Sequence, residues 1–182
     1  MALLLAAALA VPAALLPLLP ESARPWNFAA FGAIAVFTAA RGGRLGWLAA
    51  LGLALGAKLV SDLLNYRAHG FDADYLPMGV VYAGTALYAV AGWAVVRRSD
   101  RWGVPAGLAG SVGFFLVTNA AAWWEMALPY DRSALGLLHS YQKGLEFHRG
   151  TFAGDLLFTG GLFAVHAGLV RATAPTVATS RS

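Results

Sequence analysis

Long apolar runs, each closed by a cluster of charges, glycines or prolines, repeat along the whole chain. About twenty apolar residues are needed to cross a hydrocarbon core roughly 30 Å thick. Six runs approach or meet that test, at 2–19, 27–40, 45–64, 77–96, 104–124 and 151–170. The connections between them fall at 20–25, 41–44, 65–76, 97–103 and 125–150. A helix satisfies its own backbone hydrogen bonds, which lipid cannot do for it. The pattern therefore predicts an all-α membrane protein, a bundle of about six transmembrane helices.

Two runs depart from the ideal. The second has only fourteen residues, which at 1.5 Å each reach about 21 Å; a locally thinned bilayer or a partly re-entrant segment is left open. The first run lacks the basic flank and the small-x-small cleavage site of a signal peptide, so a retained helix is expected. Ala2, Ala6, Ala10 and Ala14 form a row of small residues on one face of it. Such a row suits close helix packing or docking on a partner helix. Gly52 and Gly56 make a GxxxG, and Gly103, Gly107 and Gly110 add small positions on the fifth run. These are expected to pack inside one bundle.

The 125–150 connection is not featureless. Leu135, Leu138, Tyr141 and Leu145 recur at helical spacing among Arg132, His139, Lys143 and Glu146. An amphipathic helix lying in the membrane interface, or folded over the bundle mouth, is predicted there. The whole of 1–171 reads as a single transmembrane domain, with 172–182 a disordered polar tail.

Composition agrees with the pattern. Of 182 residues, 59% are hydrophobic and 12% charged, and the mean hydropathy is +0.62. A soluble domain carries about a quarter charged residues. The net charge of +4 does not point to nucleic acid, because the basic residues sit at run ends rather than in a stripe. With no cysteine, disulfides, thiolate metal sites and cysteine nucleophiles are excluded.

Charge also orients the chain. The segments 41–44, 97–101 and 171–182 hold seven arginines against Asp100 alone, whereas the alternate side holds eight acidic and five basic residues. The positive-inside rule then places both termini in the cytoplasm, as an even number of spans requires. Trp47, Trp93 and Trp102 fall near the inner boundary, and Trp26, Trp123 and Trp124 near the outer one. The richness in Ala, Gly, Leu and Arg suggests a GC-rich bacterial genome, and hence a bacterial cytoplasmic membrane.

Ionisable and polar groups inside a membrane are costly and become functional candidates. Lys58 and Asp62 stand four residues apart, on one helix face. Asp155 is expected just inside the outer end of the last span, with Thr159 one turn deeper. Thr118 and Asn119 occupy the outer third of the fifth span, below Trp123, and Asn27 opens the second span. Polar groups from several helices thus come to a similar outer depth, which predicts a shared pocket for a polar or zwitterionic solute. Lys58 with Asp62 or Asp155 would anchor the solute, Asn119 would hydrogen-bond it, and Trp123 or Tyr141 would stack over it. A snorkelling Lys58–Asp62 pair, with the others as caps and interhelical contacts, is the plainer alternative.

Other chemistry finds little support. His69, Asp72 and Asp74 have ligand types for a metal but read as a solvated loop. His166 reads as a core histidine hydrogen-bonded across helices rather than a haem ligand. Ser111 and His166 fall at similar inner depth, but Gly110-Ser111-Val112-Gly113 is not the Gly-x-Ser-Gly turn of a rhomboid-like protease. No phosphate loop, dinucleotide fingerprint or zinc-protease motif is present, so neither an enzyme nor a cofactor is expected.

Arg24-Pro25-Trp26-Asn27-Phe28, Ser61-Asp62, the run from Phe114 to Asn119, Trp123, Tyr130, Gly136-Leu137, Tyr141 and Gly154-Asp155-Leu156-Leu157-Phe158 together resemble a family of small, uncharacterised bacterial membrane proteins. That family's architecture is similar to the S components of energy-coupling-factor transporters. Those six-helix proteins bind a vitamin or metal from outside and dock on a transmembrane coupling protein with ATPases. The resemblance implies capture of a small solute at the outer face, with the alanine row of the first helix as docking face. Glu146-Phe147-His148 departs from the family, which tends to have a proline before its aromatic pair, so the shape of the 125–150 connection is in question. The alternative is an accessory or scaffold subunit of another membrane complex.

Overall fold

The computed structural model describes residues 1–23, 29–69, 78–96, 99–125 and 130–174, and for Glu21, His69, Met78 and Val96 the backbone only. Asn27, Asp72, Asp74 and the tail beyond 174 lie outside the described residues, as does the side chain of His69. Six α-helices and no strand are found among the described residues: α1 (Ala2–Leu15), α2 (Phe31–Arg41), α3 (Gly46–His69), α4 (Met78–Ala91), α5 (Gly103–Glu125) and α6 (Ala134–Thr173). A π-helical stretch, Gly92–Val96, extends α4. Three segments are long and apolar enough to cross a membrane: Gly43–Ala68, Asp100–Glu125 and Ala134–Thr173. Three shorter apolar helices, Ala2–Leu18, Phe31–Arg41 and Gly79–Val95, accompany them.

α2 is the axis of the bundle. Every residue from Gly32 to Ala39 is buried, and all five other helices pack on it. Its 11 residues rise about 16 Å, less than the sequence pattern suggested. A helix enclosed by protein need not match a bilayer, so burial explains why so short an element is tolerated. Its end is marked by Gly42 as C-cap and by Gly43 at φ +76°, the left-handed position that glycine adopts without a Cβ penalty. The chain then reverses into α3, where Gly46 lies against the backbone of Thr38 and Ala39.

Small residues set the other contacts. The row Ala2, Ala6, Ala10 and Ala14 is buried inside the bundle, where α1 packs on α2 and α3. On α5, a Cβ at Gly103 would collide with Phe163, at Gly107 with Thr159 and at Gly110 with Tyr88. These three glycines close the bundle as expected. Gly52 and Gly56 do not: both are exposed and face open space. α3 instead turns Gly46, Ala50 and Ala54 inward.

The 125–150 connection differs most from expectation. From Ala134 the chain runs as one 40-residue helix through to Thr173, about 60 Å long, with Ser133 capping its start by accepting a bond from the Gly136 N–H. The predicted amphipathic helix is therefore the first half of α6 and no separate element. Gly150 is the lone breaker at the junction, and one glycine costs a helix interior only about 1 kcal/mol. The face that α6 buries is the small one, away from the leucines that mark the helical spacing. Gly136, Ser140 and Gly144 pack inward, while Leu135, Leu138 and Leu145 stay half exposed or more. Close-packed membrane helices place small residues at their interfaces, and leucine loses nothing by facing lipid.

Candidate functional site

The antiparallel hairpin of α5 and α6 fixes the depth of the polar residues. Gly103 meets Phe163 and Gly107 meets Thr159, so one turn further along α5 Ser111 comes level with Asp155. Ser111 stands near the middle of α5, and Asp155 is accordingly central in the bundle. The expectation that it lies near the outer end of its helix is corrected, because that helix begins at Ala134 instead of Thr151.

Asp155 is 1% exposed. Tyr88 of α4, itself buried, donates its hydroxyl to Asp155 Oδ2 at 2.5 Å. Two glycines hold the Tyr88 ring in place. A Cβ on Gly32 of α2 would fall 2.5 Å from both Asp155 Oδ1 and the Tyr88 ring, and a Cβ on Gly110 of α5 would fall 2.5 Å from Tyr88 Cδ1. Four helices thus meet at one carboxyl group. A charge at this burial is tolerated only when it is hydrogen-bonded, and Tyr88 supplies that bond.

The polar chain continues. The fully buried Ser111 hydroxyl borders both Tyr88 and Asp155, and Ser111 Oγ lies 3.3 Å from His148 Nε2. His148 is seven residues before Asp155 on α6, about 10 Å away on much the same face. Its ring packs 4.8 Å from that of Phe115 and is only partly buried. Asp155, Tyr88, Ser111 and His148 therefore stand in a row from the core of the bundle to a partly buried imidazole.

A second constellation lies nearer the end that holds the α5–α6 connection. Lys58 Nζ is 3.0 Å from both oxygens of Asp62, and the Tyr82 hydroxyl donates to Asp62 Oδ2 at 3.0 Å. The Lys58 ammonium also stands 5.6 Å from the centre of the Tyr82 ring and 5.9 Å from that of Phe31. The i,i+4 pairing is as the spacing predicted; Tyr82 and Phe31 complete it from other helices.

The remaining candidates are occupied elsewhere. Thr118 and Asn119 donate to the Phe114 and Phe115 carbonyls of their own helix. Ser140 Oγ donates to the Asn119 carbonyl at 2.7 Å, Tyr141 to the Leu116 carbonyl, and Asn119 Oδ1 abuts Gly144. Trp123 Nε1 donates to the Asp131 carbonyl at 2.8 Å. The Ser140, Tyr141 and Trp123 bonds tie α5 to α6 or to the connection before it, whereas the Thr118 and Asn119 side-chain bonds stay within α5. Thr159 is fully buried against Gly107, its hydroxyl without a hydrogen-bond partner among the described residues. The polar groups expected to share one outer pocket are thus divided among a central chain, the Lys58–Asp62–Tyr82 cluster and the α5–α6 joint.

Ser111 and His166, at similar depth by sequence, do not meet. His166 instead lies 5.5 Å from the Phe37 ring, its Nδ1 buried without a partner among the described residues. The neighbour of Ser111 is His148, which the continuous α6 carries down beside α5. Ser111 is fully buried and Asp155 is bound by Tyr88 rather than by His148, so the nucleophile, base and orienting acid of a serine hydrolase are not lined up. Among the described residues no group of three or more His, Asp or Glu could hold a metal ion.

The model of one family, a family of unknown function (DUF6580), matches residues 1–177, and the chain belongs to that family. No curated protein and no solved structure matches it.

Proposed function

Starting from membership of a family without an assigned activity, we propose that this chain is an integral membrane transport protein whose central Asp155–Tyr88–Ser111–His148 chain takes up and releases a proton. The observation that carries it is the carboxyl group of Asp155, 1% exposed at the meeting of four helices and hydrogen-bonded by Tyr88, with the buried Ser111 beside both and 3.3 Å from His148. Intramembrane carboxylates are rare and expensive, and chains of Asp and His are what proton relays in transporters are made of. Such a relay needs a hydrogen-bonded path rather than an open cavity.

Support for the membrane itself comes from three long apolar helices and from the bundle's surface. Leu4, Val11, Leu45, Trp124 and Leu157 are each more than 60% exposed, among many large apolar side chains at the surface, which lipid would cover at no cost. In this proposal all six helices are embedded, with the shorter ones completed by their neighbours. The positive-inside count puts both termini in the cytoplasm of a bacterial inner membrane, so Lys58, Asp62 and Tyr82 face outward and meet an incoming polar solute first. The family description names neither transporters nor bacteria, and the S-component likeness is an analogy of architecture. With the alanine row buried, a coupling protein would have to dock on another face.

Infrared difference spectroscopy on the purified protein tests the relay. A pH step should produce a carboxyl band that vanishes in Asp155→Asn and shifts in Tyr88→Phe. A wild-type spectrum without a band assignable to Asp155 would remove the relay.

An accessory or scaffold role is favoured by one separate observation. Ser140 and Tyr141 of α6 both donate to backbone carbonyls of α5, those of Asn119 and Leu116. Pull-down in mild detergent that recovers a stable partner set without an ATPase or coupling protein would support it.

A further inference from the structure

The bundle end opposite the Lys58 cluster holds a groove of about 340 Å³, lined by Ala39, Ala40, Gly43, Arg44, Trp47 and Trp93. Its volume lies at the lower end of the range for small-ligand sites, about 300–1,000 Å³. The floor is small: two alanines of α2 and the glycine of the α2–α3 turn. The walls are two indoles, each about half exposed, with Trp47 at 47% and Trp93 at 49%. At the mouth stands the exposed Arg44. The neighbouring Arg41 is engaged by Asp100, whereas Arg44 has no acidic partner among the described residues.

We propose that this groove binds the headgroup of one anionic phospholipid. An apolar floor between two half-exposed indoles suits the glycerol and upper acyl region of a lipid, because tryptophan favours the boundary between hydrocarbon and headgroups. A guanidinium beside them offers a phosphodiester two parallel N–H donors, and its positive charge favours a headgroup of net negative charge over a zwitterionic one, whose own cation offsets the phosphate. Basic pockets between helices on the cytoplasmic side are where anionic headgroups are bound, and Arg44 lies on the side that the charge count assigns to the cytoplasm. The site rests on the membrane proposal but is independent of the proton relay.

The test uses the whole chain, purified in mild detergent and stripped of lipid. Phosphatidylglycerol, phosphatidylcholine and inorganic phosphate are titrated separately, with thermal unfolding and native mass spectrometry of retained lipid as readouts. Phosphatidylglycerol should raise the unfolding midpoint and be retained, and phosphatidylcholine much less so. Arg44→Gln should weaken the phosphatidylglycerol effect roughly ten-fold, with Arg44→Lys between the two, since a bidentate charge-assisted contact is lost. Arg132→Gln, which removes the arginine 4.8 Å above Trp124 at the other end, should leave it unchanged. Equal weakening by both glutamine variants, no preference for phosphatidylglycerol, or the same stabilisation by inorganic phosphate alone would each overturn the lipid site. A chain that stays soluble without detergent would overturn the membrane proposal instead.

Discussion

Tyr88 donates a 2.5 Å hydrogen bond to Asp155 from a slot that exists only because two other helices carry glycine beside it. Gly32 and Gly110 each lie where a Cβ would meet the Tyr88 ring, and at Gly32 it would also meet Asp155 Oδ1. Gly32→Ala should therefore force the pair apart and destabilise the fold by about 1–3 kcal/mol, the usual cost of overpacking. Gly52→Ala is the matched control, because its Cβ would enter open space. Its added methyl should leave stability unchanged or raise it by up to about 1 kcal/mol through helix propensity. Thermal unfolding of both variants in one detergent checks the contrast.

The same bond predicts a coupling. Tyr88→Phe removes the donor and leaves a buried carboxyl group without it, at a cost of about 1–3 kcal/mol. In Asp155→Leu the acceptor is gone, so the further change of Tyr88→Phe should cost much less. A double-mutant cycle on unfolding free energies should give an interaction of about 0.5–3 kcal/mol. Additive effects would mean that the two side chains are close without being coupled.

Continuity of α6 can be measured directly, since the chain has no native cysteine to compete with introduced ones. Spin labels at Lys143→Cys and Leu157→Cys, both exposed sites, would be separated along a straight helix by about 21 Å. If residues 134–150 lay flat in the interface and turned at Gly150, the two seven-residue arms would meet near a right angle and bring the labels to about 15 Å. The longer distance is expected.

That helix also shows what could be read from the residues and what could not. Hydropathy marks the apolar segments, and i,i+4 spacing correctly joins Lys58 to Asp62, because both depend on local order alone. The inward face of α6 is not legible from apolar periodicity, since Leu135, Leu138 and Leu145 stay exposed while Gly136, Ser140 and Gly144 allow close approach. Nor does hydropathy show that the last helix starts at Ala134 rather than Thr151, and it is that start which makes Asp155 central and brings His148 beside Ser111. Tyr88 gave no signal at all. Within an apolar run it reads as one more aromatic, and only the convergence of Gly32, Gly110 and Asp155 from three other helices shows its hydroxyl to be used.

Lys58 and Asp62 offer the last test, and it turns on partial burial. Their side chains are 15% and 20% exposed, so water screens part of the pair, and its net worth lies well below that of a fully buried one. Each partner nonetheless depends on the other. Among the described residues, Asp62→Leu leaves the Lys58 ammonium only the faces of Tyr82 and Phe31, which contribute about 0.5–2 kcal/mol. Lys58→Met leaves the carboxylate only the Tyr82 hydroxyl among them. Each single change should lower the unfolding midpoint, Lys58→Met more, because lysine can extend its stem toward water and aspartate cannot. The double variant Lys58→Met/Asp62→Leu removes both charges from an apolar helix and should unfold closer to wild type than either single variant. If it is the least stable of the three, the pair contributes net stability, and a purely structural role for it gains ground over solute capture.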